Sequence, residues 1–138
     1  VEGNRVTEGV PELPERITER MRQYQNTRSA SVRGWTSNGD GLLISTRFGE
    51  TNQLHLVEKP GGARRQLTFF AEPVRGAAVC PDLRRREFLF SKDVGGGESY
   101  QIYLFDMDSG EYEMVTDGAS RNGYALWSDA GDRFVYNS

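Results

Sequence analysis

The sequence is short of the residues that build metal and disulfide chemistry: among 138 residues it has one cysteine, Cys80, and one histidine, His55. A lone cysteine excludes an internal disulfide and cysteine-rich zinc ligation, and a lone histidine excludes multi-histidine metal sites. No metal and no cofactor is expected. Long apolar runs are also missing, because stretches such as Leu42-Leu43-Ile44 and Ile102-Tyr103-Leu104-Phe105 fall far below the ~20 residues of a membrane-spanning helix. Nor is basic charge in excess. With 17 Lys and Arg against 20 Asp and Glu, the net charge is -3, and the strongly basic footprint of a nucleic-acid binder is absent. The expectation is a soluble chain with no nucleic-acid partner. The first residue is Val rather than Met, which suggests trimming, so the compartment stays open between cytoplasm and periplasm.

What is present, 36% hydrophobic and 27% charged residues, permits one packed core, or a piece of one. Residues 1–30 read as an N-terminal extension. Within it, Ile17, Met21 and Tyr24 recur at i, i+4 and i+7, which predicts a short amphipathic helix over Glu15 to Gln25 with Pro14 at its first position. Such a helix is marginal alone, so it is expected to pack on its own domain rather than serve as a partner helix.

From Ser31 onward the period shortens, and Gly, Asn, Asp or Pro clusters interrupt it. Ten strands are expected, over 31–36, 41–47, 53–58, 64–68, 76–80, 87–92, 100–106, 112–116, 123–127 and 133–137. Turns are expected at Asn38-Gly39, Gly61-Gly62, Asp108-Ser109-Gly110 and Gly131-Asp132.

The chain also repeats itself. Trp35-Thr-Ser-Asn-Gly39-Asp-Gly-Leu42-Leu-Ile44 aligns without a gap on Trp127-Ser-Asp-Ala-Gly131-Asp-Arg-Phe134-Val-Tyr136. Val79 to Phe90 fills the same role between them, with one extra residue expected in its turn, at spacings of 44 and 48 residues. Gln53 to Thr68 likewise matches Gln101 to Thr116, each ending in an aliphatic residue and Thr. Repeats of this length holding four short strands are the signature of β-propeller blades, with an ordinary sandwich as the alternative. The fold class expected is therefore all-β: a partial β-propeller of about two and a half four-stranded blades over 31–138, with blades at about 31–70 and 75–117 and a half blade at 123–138. In a blade both sheet faces are covered, so Leu42-Leu43-Ile44 and Phe134-Val135-Tyr136 are expected to be buried. Trp35 and Trp127 are expected to pack between blades, at roughly 3–5 kcal/mol each on truncation, rather than stack on a ligand.

The pattern Trp-Ser-x-x-Gly-x-x-apolar, followed by a Leu-Tyr-Leu-like strand, Gly-Gly and Leu-Thr, resembles the propeller repeats of TolB and of the prolyl oligopeptidase family of serine peptidases. From Tyr24-Gln-Asn-Thr-Arg-Ser-Ala-Ser31 to Ser138 the chain is most similar to the N-terminal propeller of a bacterial member of that peptidase family. Val79 and Leu83 depart from the repeat motif. The resemblance implies a domain that restricts access to a separate, C-terminal α/β-hydrolase domain carrying the Ser, Asp and His, with peptides as the parent's substrates.

None of that chemistry is expected within these residues. A hydrolase elbow needs Gly-x-Ser-x-Gly; the nearest match, Gly118-Ala-Ser120-Arg-Asn122-Gly123, misses by one residue, and His55 precedes it inside a strand. Ser120 reads as a turn serine and His55 as a half-exposed strand residue. Gly95-Gly96-Gly97 lacks the Lys-Ser/Thr and helix of a phosphate loop and reads as a flexible hairpin. Arg84-Arg85-Arg86 reads as a solvated hairpin tip, with contact to an acidic partner as the alternative. Asp106-Met-Asp108-Ser-Gly110 lacks the remaining ligands of a calcium loop and reads as a turn. Cys80 reads as a small hydrophobe in an inner strand. No catalytic, cofactor-binding or metal residue is therefore assigned.

The functional expectation is a non-catalytic segment of a peptidase propeller, with the remaining blades and the hydrolase domain as partners. A TolB-like protein-interaction module without an enzyme is the alternative. Self-association through open blade edges is a third expectation. A downstream Gly-x-Ser-x-Gly followed by Asp and His in the full reading frame would favour the peptidase; a frame ending after more blades would favour the interaction module.

Overall fold

A computed structural model describes residues 8–25, 28–93 and 95–138. Among them are one helix, α1 (Glu15–Gln25), and ten strands: β1 (Ala30–Trp35), β2 (Leu42–Thr46), β3 (Gln53–Val57), β4 (Arg65–Gln66), β5 (Arg75–Val79), β6 (Glu87–Lys92), β7 (Gln101–Asp106), β8 (Tyr112–Met114), β9 (Gly123–Trp127) and β10 (Phe134–Asn137). They form three antiparallel sheets, β1-β2-β3-β4, β5-β6-β7-β8 and the hairpin β9-β10, none of them closed.

The two long sheets are built by one recipe. In the first, Gln53 donates through its amide to the carbonyls of Phe70 (2.9 Å) and Glu72 (3.1 Å) and accepts from the Phe70 N–H. In the second, Gln101 donates to the Ser120 carbonyl (2.7 Å) and accepts from the Thr116 hydroxyl and the Gly118 N–H. The Thr closing each repeat accepts the N–H of the following third-strand residue, Leu54 to Thr68 at 2.9 Å and Ile102 to Thr116 at 3.1 Å. A side-chain oxygen replaces a ladder carbonyl there. That is why β4 and β8 stop short of the expected 64–68 and 112–116.

The turn of the Trp repeat is equally conserved in geometry. The Thr36 hydroxyl donates to Asp40 and the Ser128 hydroxyl to Asp132, and Gly39 and Gly131 adopt φ of 73° and 70°. A Cβ is strained at such angles, so glycine closes both turns. Paired ends seven residues apart, Trp35 with Leu42 and Trp127 with Phe134, become nine apart at Val79 and Phe88. The middle turn is thus two residues longer than its repeats, not one.

The core lies between the first two sheets. Leu43, Leu54 and Leu56 of one face Phe88, Phe90, Tyr103 and Phe105 of the other. Phe88 stacks on Phe105 at 4.8 Å and Phe90 on Tyr103 at 5.2 Å, the offset geometry aromatic pairs favour. Lys92, nearly buried, spans the same gap: its ammonium sits over Phe70 and Tyr103 and lies 3.6 Å from Glu72.

First strands stand side by side, β1 against β5 and β5 against β9. At both steps the residue in the Trp position meets the residue before the Trp position of the preceding sheet. Val79 lies against Gly34, where a Cβ would come 3.5 Å from its methyl, and the Trp127 indole N–H donates to the Ala78 carbonyl at 2.9 Å.

Four expectations change. Leu43 and Ile44 are buried as expected, but Val135 is 66% exposed and Tyr136 is 42% exposed, although as strand neighbours they point to opposite faces of the hairpin. Trp35 is also exposed, at 67%, since among the described residues no sheet packs against β1 at that position, whereas Trp127 is partly buried. The helix buries none of its residues and touches no strand among the described residues, so its apolar stripe of Ile17, Met21 and Tyr24 is unpartnered. Pro14 sits one place earlier than expected, with its carbonyl accepting the Ile17 N–H at 2.8 Å. Residues 1–7 and 26–27 of the expected extension lie outside the described residues.

Trp127→Ala, losing an indole hydrogen bond and a sheet-to-sheet contact, is expected to cost roughly 2–3 kcal/mol, and Trp35→Ala under about 1 kcal/mol. Urea denaturation of both variants measures the difference; equal costs would contradict the burial described.

Candidate functional site

Ser120 and His55 are not brought together. The Ser120 hydroxyl donates to Asp117 at 2.8 Å in an exposed turn. Asp117 also accepts the N–H groups of Ser120 and Ala119, which hold its carboxyl below the usual range. His55 is fully buried rather than half exposed. It pairs with Ile44 and Gln66 across the first sheet, and the Phe48 ring stands edge-on at 5.1 Å. Its Nδ1 lies 3.1 Å from the Gln53 carbonyl, and Nε2 has no partner. Burial pushes its pKa down, so the neutral ring is the folded form.

The arginine triplet divides. Arg84 is solvated, as expected, and its guanidinium helps hold Asp82 down to about 2. Arg85 is not a solvated tip: it joins all three sheets. Its carbonyl accepts the Ser37 hydroxyl of the first sheet at 2.7 Å, and its guanidinium donates to Gly131 of the third at 2.8 Å. The same guanidinium lies 5.3 Å from the Trp127 ring and pairs with Glu87. Arg86 is mostly buried and pairs with Asp108 at 3.0 Å across the second sheet. Charge-run logic misses this because the partners are 46 and 48 residues away in sequence.

The remaining motifs read as turns. Asp106 accepts the N–H groups of Asp108 (2.8 Å) and Ser109 (3.0 Å), which lowers its pKa and closes the β7–β8 loop. No cluster of potential metal ligands occurs among the described residues. Gly95 and Gly96 have positive φ and open space around them, as a hairpin loop should. Cys80 is fully buried between the second and third sheets, 3.7 Å from the Gly131 carbonyl.

A cleft of about 590 Å³ lies between the β5–β8 sheet and the β9–β10 hairpin. Leu89 and Ile102 form its apolar wall, and Arg75 and Arg121 are the charged groups of its lining. Arg75 lies 4.6 Å over the Tyr100 ring and forms no ion pair among the described residues; Arg121 meets Glu98 only at 4.0 Å. Two non-glycine residues with positive φ belong to this region, Tyr124 (33°) in the lining and Glu98 (58°) beside Arg121. Such backbone is costly and is kept where the surroundings demand it. The cleft's apolar wall and two arginines are the kind of lining that suits binding. Sequence reasoning missed these residues, because Arg75 and Arg121 are 46 positions apart with no shared motif.

Comparison with protein-family models and with curated proteins found no match to this chain.

His55 gives a pH signature. The unfolded histidine takes a proton near 6.5 and the folded one resists it, so stability is full above that value and declines as pH falls below it. In denaturant titrations from neutral pH to roughly pH 5, His55→Leu should flatten this decline. An unchanged slope in the variant would contradict the assignment.

Proposed function

We propose that the chain is a non-catalytic segment of a β-propeller of the prolyl oligopeptidase type, in which each sheet is a blade and β1, β5 and β9 are innermost strands. One observation carries the reading: the same step relates the first sheet to the second and the second to the third. A residue at the Trp position meets the residue before that position in the preceding sheet, at Val79 with Gly34 and at Trp127 with Ala78. Repetition of one step is what a radial arrangement requires.

In this reading the parent is a peptidase whose propeller gates and scaffolds peptide hydrolysis, and the remaining blades and an α/β-hydrolase domain complete it. The separation of Ser120 from His55 and the binding character of the cleft support a segment that handles peptide without cutting it. The open cleft also favours the second reading, a TolB-like module that holds a protein partner.

The purified chain is expected to release no chromophore from aminoacyl or peptidyl p-nitroanilides above a buffer blank. Turnover that disappears in Ser120→Ala would overturn the non-catalytic reading.

A further inference from the structure

The first strands of the second and third sheets share one irregularity, and only one of them carries it on glycine. In β5 the pairing with β6 slips between Arg75 and Ala78, where Gly76 has φ of 65°. In β9 the pairing with β10 slips between Gly123 and Leu126, where Tyr124 has φ of 33°. Both residues stand three places before the Trp position, at Val79 and Trp127. Glycine takes such a conformation freely and tyrosine does not. The Tyr124 ring gains almost no burial in return, being 90% exposed.

The fold gathers two arginines around this tyrosine, and all three line the cleft. The Arg75 guanidinium is held 4.6 Å over the Tyr100 ring, and the Ser91 hydroxyl donates to the Arg75 carbonyl at 3.0 Å. Arg121 is placed by its neighbour Asn122, whose N–H donates to the Tyr100 carbonyl at 3.0 Å. Its one acidic contact among the described residues is Glu98 at 4.0 Å, with both side chains 69% exposed, which is too loose and too wet to neutralise it. In a chain of net charge -3, Arg75 and Arg121 are the charged groups of this lining.

The segments that carry these groups have their neighbours beside them. β5 and β9 stand side by side, and Tyr124 lines the gap toward the preceding sheet, as Trp127 reaches Ala78 within it. The same end of the first sheet is also open, with a cavity of about 330 Å³ where Asn52 and Pro73 hold the places of Tyr100 and Arg121, although the sheet that follows has four strands. The wall of Leu89 and Ile102, on the second and third strands, is not part of the site.

We infer that Arg75, Arg121 and Tyr124 form a site for a peptide carboxylate. The two guanidinium forks match a planar carboxylate, and the tyrosine ring covers the apolar body of the adjoining residue. The inference deepens the peptide-handling reading and rests on it for the ligand being a peptide; it adds the charge that the peptide carries.

The test titrates the full 138-residue chain by calorimetry with a pentapeptide acetylated and amidated at its ends, glutamate at its centre followed by leucine, and alanine elsewhere. Two comparison peptides have glutamine at the centre, one blocked at both ends and one with a free C-terminal carboxylate. At least one charged peptide should bind, and the blocked glutamine peptide at least about tenfold more weakly. Which charged peptide binds tells a side-chain carboxylate from a chain end. Arg121→Gln should weaken the charged peptide by a similar factor and leave the blocked glutamine peptide unaffected. Tyr124→Gly should weaken binding several-fold while the urea midpoint does not fall, because glycine holds that place in β5. Equal binding of charged and uncharged peptides, or no binding at millimolar peptide, overturns the inference. So does Arg121→Gln binding as the unaltered chain does, or Tyr124→Gly that loses stability and keeps its affinity. These readouts are separate from p-nitroanilide turnover, so their failure and that of the non-catalytic reading are distinguishable.

Discussion

Everything in this structure depends on one constraint: the central strands of the two long sheets bury residues on both faces, so the faces they turn to each other must pack. Leu43 is fully buried and Ile44 nearly so, though they point to opposite faces of the first sheet; Phe88, Leu89 and Phe90 do the same in the second. A sheet with one wet face alternates apolar and polar residues, and these strands do not. Between the first two sheets that burial, at ~25 cal/mol per Å², comes from sheet packing; on the first sheet's other face Phe48 covers His55 instead. The chain meets that demand once completely, between the first two sheets, and once in part, between the second and third.

Polar groups set the spacing of the succession. Arg85 touches all three sheets, giving its carbonyl to Ser37 and its guanidinium to Gly131, Trp127 and Glu87. Gln53 and Gln101 tie each fourth strand and the connection after it to the start of the third strand, using both ends of the amide. Buried amides and guanidinium groups are costly unless satisfied. Here they are satisfied only when the segments stand at this separation, so the polar contacts specify a geometry that apolar packing alone would leave loose.

Much of this was legible in the sequence. All ten strands occur near their expected positions, because turn residues and apolar runs are local signals, and the gapless match of the Trp35 and Trp127 segments reappears as two turns with the same hydroxyl–carboxylate clasp. What sequence reading missed depends on neighbours. Trp35 and Trp127 are alike in sequence, yet one is exposed and the other hydrogen-bonded to Ala78, because among the described residues only Trp127 has a sheet packed against it. Arg85 and Arg84 are adjacent, yet one joins three sheets and the other is solvated. The cleft was invisible for the same reason: its lining is assembled from segments whose meeting is a property of the fold.

Site-resolved native-state hydrogen exchange tests the central claim most directly. If burial between sheets governs stability, amides of β2, β6 and β7 should exchange only through global opening, and those of β9 and β10 through a smaller local opening. Equal protection in all three sheets, or separate opening of the first and second, would contradict the account.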